Sequence, residues 1–194
     1  MIHYGRLVIA PFLFCLAIDA FAINLLDNPD FDPAMELSGW SATNASQGAA
    51  TYDDSDGSPA PGSVLLTGVA CCTVLAAQCL KIDAGVRYDF GASLKEGPTA
   101  PGLPTDGTSV ELYWYQDTVN ACNTIGIGTA SIVPSLTTSW QSYSGSAVAP
   151  PTAAYVLYRI AQYNFAGLPD LTSYGDSAYF YADTIFGDGF EVVP

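Results

Sequence analysis

The sequence predicts an all-β domain, an antiparallel β-sandwich of jelly-roll type. Short runs rich in Val, Tyr, Phe, Ile and Thr recur along the chain and have the composition of strands: SVLLTGVA, VRYDFGASLK, SVELYWYQD, AAYVLYRIAQY and SAYFYADTIF. Clusters of Gly, Pro, Ser and Asp separate these runs and are typical of turns. No window after residue 22 shows sustained apolar spacing at helical intervals. Many short strands at this spacing favour two packed antiparallel sheets.

Alternation along each predicted strand separates a buried face from an exposed one. In SVELYWYQD, apolar Val110, Leu112 and Trp114 alternate with polar and aromatic residues that are then expected to face solvent. Arg159 marks the solvent side of AAYVLYRIAQY. In VRYDFGASLK, the residues that share the apolar face are predicted to be core: Tyr88, Phe90, Ala92 and Leu94.

The solvent faces of two predicted strands combine aromatic rings with charged groups. Sugar sites need this combination, because rings stack on the apolar side of a pyranose while polar groups reach its hydroxyls. Aromatic residues in strands also occur as ordinary sheet surface, so a face without a ligand is the other interpretation. The predicted ligand-binding residues are Glu111, Tyr113, Tyr115, Tyr155, Arg159 and Tyr163.

Residues 1–22 have the pattern of a secretory signal peptide. A short basic start precedes an apolar run from Leu7 to Ile18, and a small-x-small sequence ends at Ala22. The apolar run is shorter than the roughly 20 residues that a spanning helix needs, and no later segment is longer. We therefore expect one domain over residues 23–194, secreted, periplasmic or held at the cell surface, without a membrane anchor.

The chain is strongly acidic, with 19 Asp and Glu residues against 5 Lys and Arg residues and a net charge of −14. A field of that sign repels phosphate backbones and anionic lipid surfaces. Nucleic-acid and membrane partners are therefore excluded, and neutral partners such as polysaccharides or cell-surface glycans are favoured. The pattern predicts no oligomeric state.

Histidine chemistry is excluded from the mature chain, because His3, the single histidine, lies in the segment expected to be removed. This excludes Ser-His-Asp and Cys-His catalysis. A glycosidase pair of carboxylates is the remaining enzymatic chemistry, and Glu111 with Asp89 is the best candidate pair. We expect no catalysis, and a small glycoside hydrolase is the third hypothesis.

Four of the five cysteines lie outside the expected signal peptide: Cys71, Cys72, Cys79 and Cys122. An even number in an oxidising compartment predicts two disulfides. A zinc site is disfavoured, because the mature chain has no histidine and two of the cysteines are adjacent. Three pairings are open at this point.

The start of the mature chain resembles the opening of galactose-binding-like, cellulose-binding modules appended to bacterial glycanases. The segment Asn24-Leu25-Leu26-Asp27-Asn28-Pro29-Asp30-Phe31-Asp32 and the following Gly39-Trp40 carry the resemblance. Later matches occur in the same order as in that family, including Ser139-Trp140-Gln141 and a closing strand from Ala178 to Phe186. The resemblance implies a jelly roll whose first and last strands lie side by side.

Two finer features are implied by the resemblance. The family often holds a structural calcium between its terminal strands, and the matching positions here are Asp32, where the family usually has Glu, and Asp183. Calcium needs six to eight oxygen ligands, and carboxylates at strand ends supply some of them. The resemblance also favours a Cys79–Cys122 disulfide, which leaves Cys71 with Cys72. An arrangement that pairs Cys71 with Cys79 stays open, because adjacent pairing is strained.

Two hypotheses of function follow. The first is an exported, non-catalytic carbohydrate-binding module that holds a neutral glycan on an aromatic sheet face. The second is an exported structural or adhesive β-sandwich with no small-molecule ligand.

Overall fold

The computed structural model describes residues 23–46, 48–69, 73–99, 106–116, 121–123, 126–169 and 171–183. The predicted signal peptide, Cys71, Cys72 and the chain after residue 183 lie outside these ranges. Within them the chain is all-β, with two antiparallel sheets and a single 3₁₀ turn at Ala121–Asn123. The predicted fold class is therefore confirmed. No helix in this part of the chain is long and apolar enough to cross a membrane.

The two sheets contain five and six strands. In spatial order, the five-stranded sheet contains β1 (Ser41–Ala42), β5 (Thr73–Lys81), β10 (Tyr155–Tyr163), β7 (Gly107–Tyr115) and β8 (Gly126–Ile132). The six-stranded sheet contains β2 (Asn44–Ala45), β3 (Gly48–Asp53), β4 (Ser63–Gly68), β11 (Leu171–Ala182), β6 (Arg87–Glu96) and β9 (Gln141–Val148). The chain crosses between the sheets at almost every step from β4 to β11, as in a jelly roll.

The core lies between the sheets and follows the predicted alternation. Each inward residue predicted for β6 is buried, and so are Val110, Leu112 and Trp114 of β7. The Tyr88 ring stacks on Phe180 at a centroid distance of 4.7 Å. Alternation places one side of each strand in this core, so the opposite side carries the residues that can meet a ligand.

One buried hydrogen bond joins the two sheets across the core. The Tyr158 hydroxyl of β10 donates to the Gly91 carbonyl of β6 at 2.7 Å. Both residues lie in central strands, so this bond fixes the sheets relative to each other at the middle of the sandwich. Burial raises the pKa of Tyr158 well above its ordinary value, so the hydroxyl keeps its proton and remains a donor.

The first described residues lie along the last strand, as the resemblance implies. Leu25 N donates to the Phe180 carbonyl at 2.9 Å. The Asn24 side chain donates to the Ala178 carbonyl at 2.9 Å and accepts from Phe180 N at 3.0 Å. These bonds hold the two ends of the domain together.

A disulfide joins Cys79 of β5 to Cys122 in the 3₁₀ turn, with the Cα atoms 5.9 Å apart. This is the pairing that the resemblance implies. Cys79 is opposite Leu157 of β10 in the sheet register, and Leu157 is opposite Tyr113 of β7. The disulfide therefore attaches the loop after β7 to the solvent face of the five-stranded sheet.

We expect the double substitution Cys79→Ala/Cys122→Ala to lower the free energy of unfolding by about 2–4 kcal/mol, because it frees the unfolded chain from a closed loop. The two cysteines are 43 residues apart, so the closed loop is long. Urea denaturation of the oxidised wild type and the variant measures this difference. Equal stabilities, with the Cys79–Cys122 bond verified by mass mapping of the wild type, would contradict the expectation.

Candidate functional site

The solvent face of the five-stranded sheet collects the six residues predicted to bind ligand. The register of β10 against β7 sets Arg159 opposite Glu111 and Tyr155 opposite Tyr115. Side chains directly opposite each other on one face of an antiparallel pair are in contact range. The alternation that buries Val110, Leu112 and Trp114 is what turns the odd-numbered residues of β7 outwards.

An ion pair with hydroxyl partners forms the centre of this face. Arg159 Nε donates to Glu111 Oε2 at 2.7 Å. Arg159 Nη2 donates to the hydroxyls of Tyr113 at 2.7 Å and Tyr163 at 2.9 Å. Glu111 Oε1 accepts from the Tyr163 hydroxyl at 2.7 Å and from Ser109 Oγ at 2.5 Å. We call these five residues the Arg159 network.

The ion pair at the centre of the network is largely buried and stays charged. The side chains of Arg159 and Glu111 are 16% and 7% exposed. Burial opposes ionisation of Glu111, but the hydrogen bonds from Ser109 and Tyr163 and the charge of Arg159 outweigh it and lower its pKa. Burial likewise opposes the charge of Arg159, and the Glu111 carboxylate outweighs it and raises its pKa. Both groups are therefore ionised at neutral pH.

The aromatic rings differ in how much surface they offer. Tyr113 lies under Arg159, whose guanidinium carbon is 4.1 Å from the ring centroid. Tyr115 is only 8% exposed, so little of its ring can meet a ligand. Tyr155 is half-buried, and Tyr163 stacks on Phe165 at a centroid distance of 5.6 Å. The accessible rings are therefore at the two ends of β10.

Two residues of the face were missed from the sequence, and alternation alone finds both. Ser109 continues the odd-numbered series of β7. Phe165 lies two residues after Tyr163 and is 54% exposed. Ser109 was missed because a single serine does not distinguish a binding face from ordinary sheet surface, and Phe165 because it lies beyond the end of β10.

The structure separates Glu111 from Asp89, so the candidate glycosidase pair is wrong. Asp89 lies on β6, where it pairs with Ser146 of β9 and Tyr181 of β11 on the solvent face of the other sheet. Glu111 lies on the outer face of the other sheet, where it is buried rather than exposed as expected from the sequence. Packed sheets are about 10 Å apart, and both carboxylates point away from the core. They cannot flank one glycosidic bond at the separation of about 5–10 Å that catalysis requires.

The predicted calcium ligands lie at the two ends of the described chain. Asp32 is part of a turn in which its Oδ1 accepts from Ala34 N at 2.8 Å and its amide donates to Asn28 Oδ1 at 2.8 Å. Asp183 follows β11, and its amide donates to the Arg87 carbonyl at 2.8 Å. In the described ranges, no three His, Cys, Asp or Glu residues are grouped so that they could hold a metal ion.

No protein-family model matches this chain. A comparison with curated proteins also finds no match.

Solved structures with this fold do match. A family 16 carbohydrate-binding module has a TM-score of 0.60 and 14% identity, over 81% of this chain and 99% of that one. The module TmCBM61, in complex with β-1,4-galactotriose, has a TM-score of 0.56 and 13% identity, over 84% of this chain and 100% of that one. The enzymatically active domain of tailspike protein 4 of bacteriophage CBA120 has a TM-score of 0.62 and 13% identity, over 82% of this chain but 21% of that one. The chain therefore has the β-sandwich fold of carbohydrate-binding modules.

We expect Glu111→Gln to lower the free energy of unfolding by about 3 kcal/mol at neutral pH, because it leaves the buried Arg159 charge without its partner. A carboxylate with a lowered folded-state pKa stabilises the protein above its unfolded-state pKa, which is about 4.3 for glutamate. The stability difference between wild type and variant should therefore be full above that pH. It should shrink as the pH falls further, through the lower folded-state pKa of Glu111.

Chemical denaturation of both proteins at a series of pH values measures this difference. Burial raises the pKa of Asp176 to about 6, but Asp176 is present in both proteins and its effect cancels. Glu36 is exposed, so Glu36→Gln serves as a matched control and should change stability by less than about 0.5 kcal/mol. A wild-type advantage over Glu111→Gln that grows towards acid pH would contradict the role given to the ion pair.

Proposed function

We propose that this chain is an exported, non-catalytic module that binds a neutral polysaccharide on the solvent face of its five-stranded sheet. The observation that carries the proposal is the Arg159 network, a fixed set of polar groups with the accessible rings of Tyr155, Tyr163 and Phe165 on the same strand or just beyond it. A face whose polar groups are already held in place loses little conformational entropy on binding.

Arg159 keeps hydrogen-bonding capacity for a ligand. A guanidinium has five N–H donors, and in the described part of the chain its hydrogen bonds start from Nε and Nη2. In this proposal the Nη1 donors meet sugar hydroxyls. The net charge of −14 favours a neutral glycan over an anionic one.

Two further observations support the remaining parts of the proposal. The signal-like residues 1–22 and the Cys79–Cys122 disulfide support export, because disulfides persist in oxidising compartments. TmCBM61, which shares the fold, is complexed with β-1,4-galactotriose, and this supports a polysaccharide as the ligand class.

A structural or adhesive sandwich without a small ligand is the second candidate. The observation in its favour is that Arg159 and Glu111 already pair their charges and hydrogen-bond to each other, without a ligand. The two candidates differ in whether a soluble oligosaccharide perturbs this face.

We expect cellohexaose, xylohexaose or β-1,4-galactotriose to shift the Arg159 Nε–H signal and the backbone amides of β7 and β10 saturably in a nitrogen-edited NMR titration. The double substitution Tyr155→Ala/Phe165→Ala removes two accessible rings outside the Arg159 network. It should weaken binding read at those signals about tenfold or more, corresponding to about 1.4 kcal/mol.

Met35→Ala is a matched control, because Met35 is a 46% exposed apolar residue of the turn before β1. It should bind as wild type does. Signals of β7 and β10 that stay unchanged with all three oligosaccharides would favour the sandwich without a ligand. Unaltered affinity in the double variant would remove Tyr155 and Phe165 from the site.

Calcium at Asp32 and Asp183 stays a prediction. Its support is the resemblance carried by residues 24–32. The hydrogen bonds to β11 do not add to it, because Leu25 is bonded to Phe180 and Pro29 to Ala178, so the segment runs antiparallel to β11 and leads away from Asp183. Since no acidic group of three is present in the described chain, such a site would complete its shell with backbone carbonyls and water.

If this site exists, removing calcium with a chelator should lower the melting temperature, because a ligand that binds only the folded state stabilises it. Added calcium should restore the melting temperature of the wild type but not that of Asp183→Asn. Asp54→Asn, in an exposed loop, should respond as wild type does. A melting temperature unchanged by the chelator would remove the metal from both carboxylates.

A further inference from the structure

The solvent face of the six-stranded sheet carries an aromatic depression that the sequence analysis did not assign. It is open, has a volume of about 490 Å³, and is formed by β6, β9 and β11. We call it the Tyr179 depression. Its lining residues are Asp89, Ser144, Gly145, Ser146, Tyr179 and Tyr181.

Two tyrosines form the aromatic part of the depression. Tyr179 and Tyr181 are two residues apart on β11, so both face solvent. Their ring centroids are 5.3 Å apart and their planes differ by 19°. Rings at this distance and angle are stacked with an offset, so the two tyrosines form one aromatic block beside the polar groups of β6 and β9. A sugar can pack against the exposed part of this block.

Gly91 sets the position of the Tyr179 ring. It is opposite Tyr179 on one side and Ser144 on the other. A Cβ built on Gly91 would be 2.6 Å from the Tyr179 hydroxyl oxygen and 2.8 Å from its Cζ. The Tyr179 side chain therefore lies across β6, directly over Gly91, and its hydroxyl interacts with Ser144 of β9. The hydroxyl end of Tyr179 is therefore held against β6, and the ring is half-buried.

Polar groups line the rest of the depression. Ser144, Ser146 and Asp89 are exposed. Arg87 Nη2 donates to Ser146 Oγ at 2.8 Å, and Arg87 Nε is 4.0 Å from Asp89 Oδ1. Hydroxyls that donate and accept, next to a carboxylate that accepts, match the hydroxyls of a sugar. The Asp89 carboxylate also disfavours an acidic sugar at this place.

We propose that the Tyr179 depression is a second binding site, which holds a neutral pyranose unit of a glycan against Tyr179 and Tyr181. The site stands on its own contacts and does not require the site on the five-stranded sheet. Only its consequence rests on the proposed function: with both sites, the module presents sugar-binding surfaces on opposite sides of the sandwich. It then binds two glycan strands at once and bridges them, which raises avidity on a polysaccharide surface.

The same NMR titration with cellohexaose, xylohexaose and β-1,4-galactotriose tests the second site, read at the backbone amides of β9 and at those of Tyr179 and Tyr181. We expect saturable shifts there. Tyr179→Ala/Tyr181→Ala should reduce affinity at these signals about tenfold or more while leaving binding on β7 and β10 unchanged. Ser144→Ala/Ser146→Ala leaves both rings in place and should also weaken binding, so the test does not depend on the ring variant folding.

Tyr174→Ala is the matched control. Tyr174 lies on the same strand, where its ring packs against Lys95 and Trp140 outside the depression, so the variant should bind as wild type does. Shifts confined to β7 and β10 would overturn the second site and leave the proposed function standing. Shifts confined to β9 and β11 would support the second site and overturn binding on the five-stranded sheet. An absence of saturable shifts on either sheet with all three oligosaccharides would overturn both.

Discussion

The register of β10 is the constraint on which the rest of the structure depends. β10 lies between β5 and β7. Its even-numbered residues turn into the sandwich, and Tyr155, Arg159 and Tyr163 lie on the outer face. A slip of one residue would exchange the two sets and bring Arg159 into the core. The bond from Tyr158 to the Gly91 carbonyl opposes such a slip, because the hydroxyl reaches its acceptor from this register.

Gly91 links the two sides of the six-stranded sheet. Its carbonyl accepts from Tyr158 inside the sandwich, and its missing side chain leaves room for Tyr179 on the outside. A glycine within a strand often marks a close approach of this kind. The bond that fixes the sheets relative to each other and the ring of the proposed second site therefore depend on the same residue.

Alternation predicted the faces of β6, β7 and β10, because each of these strands keeps its period of two along its length. It did not predict which strands share a sheet, so Glu111 and Asp89 were paired across a core that separates them. The Tyr179 depression was not predicted because SAYFYADTIF carries aromatic residues on both faces, so alternation does not separate the outward Tyr179 and Tyr181 from the inward Phe180. In the structure, β11 also has a bulge between Asp176 and Tyr179. Before the bulge an even-numbered residue, Tyr174, is opposite Lys95, and after it the odd-numbered Tyr179 is opposite Gly91.

The bulge has an identifiable support in a buried carboxylate. Asp176 accepts from Ser177 N at 2.7 Å and from Ser58 N at 2.5 Å, and Ser177 Oγ donates to the Ser58 carbonyl at 2.5 Å. Ser177 has a φ of 45°, a left-handed conformation that costs energy for a residue other than glycine. The hydrogen bonds of Asp176 offset that cost and hold the extra residue in place. Because the bulge reverses the alternation, Asp176 determines that Tyr179 and Tyr181 face solvent while Phe180 fills the core.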